Sequence, residues 1–148
     1  MRIFHHTITI ARPREDVFDF FVDFTEAPRW RSYVKSMEPV DGGPVQPGSR
    51  IRVKLDLMGE ETTYDLNVVA FERPSLWRHR TDEVDFLGYV EYRFDEERGG
   101  TRVTLSARAK PVSLYGWLAL PLLLLRRGRS YAHQLPQLKR AVEGRSPP

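Results

Sequence analysis

Residues 114–142, LYGWLALPLLLLRRGRSYAHQLPQLKRAV, decide how the rest of this chain must fold. Steps of three or four from Trp117 reach Pro121, Leu124, Gly128, Tyr131, Leu135, Leu138 and Val142. That spacing lays one largely apolar stripe along a helix. Unbroken, such a helix runs roughly 40 Å at ~1.5 Å per residue. The stripe needs a wide apolar surface beneath it, and the rest of the chain supplies strands. The expectation is an α+β arrangement, a curved sheet closed by the terminal helix with a pocket between them. Pro136 removes one helical hydrogen bond, which predicts two collinear pieces.

Upstream, Phe4, His6, Ile8 and Ile10 alternate with His5, Thr7 and Thr9 as a first strand. Pro13 suits a helix start. Val17, Phe18, Phe20 and Phe21 then form an apolar side against Asp16, Asp19 and Asp23. Thr25 is a plausible cap for a second short helix over residues 26–30. A strand over residues 33–39 precedes a Gly/Pro-rich loop. The alternation resumes with Ile51, Val53, Leu55 and Leu57, and turns near Gly59-Glu60 into Thr62, Tyr64, Leu66 and Val68. Pro74 breaks that run. Trp77, His79 and Thr81 share the face of a fifth strand, followed by an acidic loop over residues 82–85. Val90, Tyr92 and Phe94 belong to a sixth. Gly99-Gly100 signals a hairpin, and Val103, Leu105, Ala107 and Ala109 form a seventh. Short connections and one-sided patterns predict an antiparallel sheet covered on one face.

A length of 148 residues suits one domain, read here as residues 1–143 with a frayed end at 144–148. Apolar content of 41% and charged content of 29% exclude a disordered chain. The absence of cysteine removes disulfides, thiolate catalysis and cysteine-held metals. No apolar leader precedes the first strand, and together these predict a cytoplasmic protein. The net charge of +3 is uneven: residues 126–148 hold six Arg/Lys against one Asp/Glu. Basic side chains there suit a helix C-terminus and a wet outer face, so no nucleic-acid partner is expected. The run at residues 112–125 is 14 long, too short to span a bilayer. Its apolar character on nearly every side leaves three placements open: burial, a homodimer contact, or transient membrane contact through residues 117–125.

The stretches Ile10-Ala-Arg-Pro-Arg-Glu-Asp-Val17-Phe, Asp23-Phe-Thr-Glu-Ala-Pro-Arg-Trp30, Pro47-Gly-Ser, Gly99-Gly-Thr-Arg-Val103 and Leu135-Pro-Gln-Leu-Lys-Arg-Ala-Val-Glu143 resemble one superfamily. It is the START and birch-pollen-allergen-like superfamily (SRPBCC), in its polyketide cyclase/dehydrase-like branch. Pro136 departs from the usual closing helix. The resemblance implies a helix-grip fold: a bent seven-stranded antiparallel sheet wrapped around the C-terminal helix, two short helices after the first strand, and an apolar cavity. It implies binding or transport of a lipid, quinone, polyketide or similar hydrophobic small molecule. Cyclase or dehydratase-like catalysis in the same cavity is the alternative. No catalytic set is shared across the superfamily.

The alternation selects the inward side chains Val53, Leu55, Tyr64, Leu66, Trp77, His79, Val90, Tyr92 and Leu105 as candidate ligand contacts. Trp30, Trp117 and Leu124 join them from the helices. An apolar pocket with a few polar groups orients a hydrophobe, and Tyr64, His79 and Tyr92 are those groups. His79 and Tyr92 are also the candidates for acid–base chemistry, as a histidine near neutrality and an oxyanion donor. Adjacent His5 and His6 point to opposite faces of a strand, and no other spacing suggests a metal. No phosphate loop is present, so neither metal nor cofactor is expected.

Overall fold

The computed structural model describes residues 2–31, 33–82 and 86–144, with side chains omitted at 2, 3, 57, 123 and 126–130. Residues 83–85 of the expected acidic loop and 145–148 of the expected tail lie outside it. The chain begins with β1 (Arg2–Ile10), then α1 (Arg14–Val22), a 3-10 turn (Phe24–Glu26) and α2 (Ala27–Trp30). Six strands follow: β2 (Val34–Pro39), β3 (Arg50–Leu57), β4 (Glu60–Glu72), β5 (Leu76–Asp82), β6 (Phe86–Glu97) and β7 (Gly100–Pro111). The long helix α3 (Leu114–Glu143) closes the fold.

All seven strands form one curved antiparallel sheet in the order β1-β7-β6-β5-β4-β3-β2. Its inner face is the one the alternation selects: Ile51 and Val53, Leu66 and Val68, Trp77 and His79, Val90, Tyr92 and Phe94, and Val103, Leu105 and Ala107 are all buried. Short turns join β3 to β4, β4 to β5 and β6 to β7. Met58 and Gly59 both take positive φ in the two-residue β3–β4 turn, the twist such hairpins favour. At β6–β7, a side chain on Gly100 would stand 2.1 Å from the Ile10 carbonyl oxygen, so β1 can cross there only over a glycine. The expected Thr25 cap of the second short helix is not formed: α2 starts at Ala27 with Glu26 at its N-cap and no side-chain cap hydrogen bond. Asp23 instead caps the preceding 3-10 turn (Thr25 N to Asp23 Oδ1, 3.1 Å), and Thr25 donates its hydroxyl to the same oxygen. Carboxylate acceptors in this position outcompete a hydroxyl.

Helix α3 is one continuous element of 30 residues, not two pieces. Each internal proline leaves one carbonyl four residues earlier without its N–H. Those carbonyls belong to Trp117 and Ala132, both exposed, where water can serve them. At the helix start the buried sector differs from the expected stripe. Gly116 and Leu120 face inwards, while Trp117 and Pro121 face out. From Tyr131 onward the expected stripe holds, with Leu135, Leu138 and Val142 in the core. Polar ties fix this end: Ala11 N donates to Glu143 Oε2 at 2.8 Å, Arg12 Nη2 to the Glu143 carbonyl at 2.8 Å, and Lys139 Nζ to the Thr9 carbonyl at 2.6 Å. The sheet therefore grips the C-terminal half of α3.

Candidate functional site

The interior beside the gripped helix is built around Phe21 of α1. Its ring centroid lies 4.5 Å from Tyr92, 5.6 Å from Trp30, 5.8 Å from Trp77 and 5.2 Å from Phe94. Alternation on β5 and β6 turns Trp77, His79, Val90 and Tyr92 into this space. Edge-to-face and tilted pairs of this kind hold one another in place beyond simple area burial.

Three polar groups enter that apolar surround. The Trp77 indole N–H donates to His79 Nδ1 at 2.8 Å. An indole nitrogen only donates, so Nδ1 must be the acceptor and the proton of the neutral ring sits on Nε2. Burial first, and the nearby Arg31 charge second, push the His79 pKa down to about 3. The ring is neutral at any ordinary pH. Its lone pair is already used, and what it has left to offer is an N–H. That is a poor arrangement for a general base. Burial likewise pushes the Tyr92 hydroxyl up to about 12. It is a neutral donor, and it donates to Gln134 Oε1 of α3. The third group is Arg31. Its guanidinium lies 4.2 Å from the Trp30 ring centroid, 5.1 Å from Phe21 and 6.0 Å from Tyr92.

Of the residues singled out from the sequence, Trp30, Val53, Leu66, Trp77, His79, Val90, Tyr92 and Leu105 are buried together on this inner side. Leu55 and Leu124 are half-buried. Tyr64 stands 40% exposed on the part of β4 that runs past the end of β5. Trp117, expected as core or pocket wall, is 59% exposed, because Gly116 and Leu120 take the inward side of this turn. Residues 117–125 are buried only in part: Leu120 faces inwards and Leu124 is half-buried, while Leu118, Leu122 and Leu125 lie on the sector turned away from the sheet and face solvent.

A groove of about 480 Å³ opens elsewhere, between α2 and the C-terminal turns of α3. Pro28, Arg29, Trp30, Arg31, Tyr33, Gln137, Arg140 and Ala141 line it. It shares only Trp30 with the sequence-derived set. Sequence reasoning missed Arg31, Gln134 and Arg140, whose positions carry no alternation signal. The one clue was a cation directly beside Trp30 in the Ala27-Pro-Arg-Trp-Arg31 stretch. Among the described residues, no three His, Asp or Glu side chains gather as a metal would need.

The fold has clear counterparts. A Thermus thermophilus protein superposes with a TM-score of 0.74 at 21% identity, over 97% of this chain and 98% of that one. A Streptomyces aromatase/cyclase gives 0.72 at 16% identity, over 95% and 92%. A START superfamily protein from Mycobacterium smegmatis gives 0.63 at 16% identity, over 95% and 94%. At such identities the likeness speaks for the helix-grip fold alone. No curated protein sequence matches the chain. The residues that carried the resemblance nonetheless lie within a match over residues 1–143, and the chain belongs to the family described as polyketide cyclase/dehydrase and lipid transport.

Proposed function

We propose that this protein binds and carries a hydrophobic small molecule between the sheet and α3. The observation that carries the reading is the character of the inner face. Aromatic and aliphatic side chains surround two neutral polar groups, His79 and Tyr92, which can orient a guest without demanding a charge from it. Catalysis in the same place is the weaker reading, because a cyclase needs a proton acceptor and His79 has neither a free lone pair nor the basicity. The test is native mass spectrometry of protein purified without detergent. A non-covalent apolar adduct, removed by organic extraction and restored by adding back the extract, is expected. A bare chain that takes up neither the extract nor a panel of fatty acids, quinones and aromatic polyketides contradicts it.

A second reading concerns how such a guest is exchanged, and rests on a separate observation. Val112, Leu114, Tyr115, Trp117, Leu118, Leu122 and Leu125 are all exposed on the first turns of α3 and its approach. Met58, fully exposed, tips the β3–β4 hairpin at the same end of the strands. Residues 112–142 contain no Asp or Glu, and Arg126, Arg127 and Arg129 follow the apolar run directly. Leucines with an interfacial Trp and Tyr beside a basic run suit the surface of an anionic bilayer. The surface is touched, not crossed: no described helix is long and apolar enough to span.

A further inference from the structure

Arg31 and Trp30 belong to both the groove and the aromatic interior: they line the first and pack on Phe21 in the second. Stacking occupies the face of a guanidinium and leaves its edge N–H groups seeking acceptors. Among the described residues, Arg31 Nε is buried with no hydrogen-bond partner, and so is the neighbouring Trp30 Nε1. Both atoms are donors only. The cations around them are also unbalanced. Arg29 is paired with Glu26 at 2.7 Å, whereas among the described residues neither Arg31 nor Arg140 has a carboxylate within 4.0 Å. Arg31 meets the neutral Tyr92 hydroxyl. The groove nonetheless brings two arginines together with no described carboxylate paired to either, and the residues that line it hold two buried orphan N–H groups, so it is short of negative charge.

We infer that this groove receives the anionic head of an amphiphilic ligand. Arg31 is its principal partner, with Arg140 at the outer rim and the apolar part lying on the Phe21–Trp30–Tyr92 side. The inference rests on the hydrophobic-ligand reading above and adds the chemical class of the head: a carboxylate or phosphate monoester, either of which offers paired oxygens to an arginine fork. An anion at Arg31 offsets the cationic charge that acts on His79 and Tyr92, while burial, the larger cause, keeps both groups neutral. Trp30, Phe21 and the Arg31 guanidinium each touch the other two, which holds this seat in place.

The experiment is isothermal titration calorimetry at pH 8 with three probes of equal chain length: laurate, dodecyl phosphate and dodecanol. The native chain should bind at least one of the two anions about tenfold or more tightly than the alcohol. The anion that binds better names the head. Arg31→Gln should erase that preference while leaving dodecanol within about twofold of its native affinity, and Arg31→Lys should retain part of it. Should Arg31→Gln fail to fold, Arg140→Gln, at an exposed position, should weaken the anion several-fold and leave the alcohol unchanged. Raising the salt tenfold should weaken the anion only. Equal binding of all three probes to the native chain, or a preference indifferent to Arg31 and Arg140, overturns the inference and leaves the hydrophobic-ligand reading standing. Failure of all three to bind overturns the inference, and the hydrophobic-ligand reading falls with it if the native mass spectra also show a bare chain.

Discussion

His79 shows how one buried side chain joins packing to chemistry. It is 7% exposed, accepts the Trp77 indole N–H, and is kept neutral by its surroundings. Its folded pKa of about 3 lies below its ordinary value of 6.5. Between those two values the unfolded chain binds a proton that the folded chain refuses. The stability that His79 contributes is therefore complete above about pH 6.5 and is lost as pH falls toward 3, at up to about 1.4 kcal/mol per unit. His79→Gln keeps an acceptor for Trp77 but cannot titrate. Urea unfolding at pH 6.5 and pH 5 should show the variant losing roughly 2 kcal/mol less than the native chain over that interval. Equal losses would mean that His79 takes up its proton in the folded state. The inward orientation of His79 and Tyr92 was legible from alternation alone. The Trp77 N–H that fixes the tautomer was not, because two side chains on one face meet or miss according to their rotamers, which no spacing encodes. Arg31 was illegible for a related reason. It follows a helix of a single turn, where neither period applies, and a charged residue there reads as solvent-facing.

Among the elements, α3 departs most from its sequence pattern. Its C-terminal half behaves as the stripe requires, with Leu135, Leu138 and Val142 in the core. Its N-terminal half does not, since a run apolar on all sides gives no signal for which side faces in. Gly116 and Leu120 were the buried choice, with Trp117 and Pro121 turned out. The strands, by contrast, were legible in number and inward face, because a period of two with one polar face admits one register. Their ends were legible to within two residues except at β4 and β6, which run up to four residues past the alternation. The exposed sector of α3 carries its own prediction. Vesicles with a third phosphatidylserine should co-sediment the native chain, and the double variant Leu118→Ser/Leu122→Ser should reduce the bound fraction about tenfold or more. Both residues face solvent, so the variant should unfold at an unchanged temperature. Binding that is absent, or indifferent to the two leucines, contradicts the membrane reading. A stable dimer in solution that the same variant dissolves would assign the face to a second copy of the chain.

At the scale of the molecule, the sheet and α3 divide the work. The sheet holds the C-terminal half of the helix through Ile10, Leu135, Leu138 and the ties to Glu143. It leaves a neutral, aromatic interior on one side of that half and an exposed apolar sector at the other end of the same helix. Antiparallel topology and the helix-grip arrangement followed from the order of elements together with the resemblance. The groove beside α2 did not, since it joins residues 28–33 to residues 137–141 across more than a hundred positions, a contact only the folded chain creates. The central claim is that the apolar guest lies inside, against the sheet. The protein has three tryptophans, and they report from different places. Trp30 and Trp77 are in the interior, and Trp117 is on the outer face of α3. Titrating spin-labelled stearate while recording the three indole N–H resonances should broaden those of Trp30 and Trp77 at substoichiometric ligand, before Trp117 is affected. Broadening of Trp117 alone would place the guest on the outside of the helix and contradict the account.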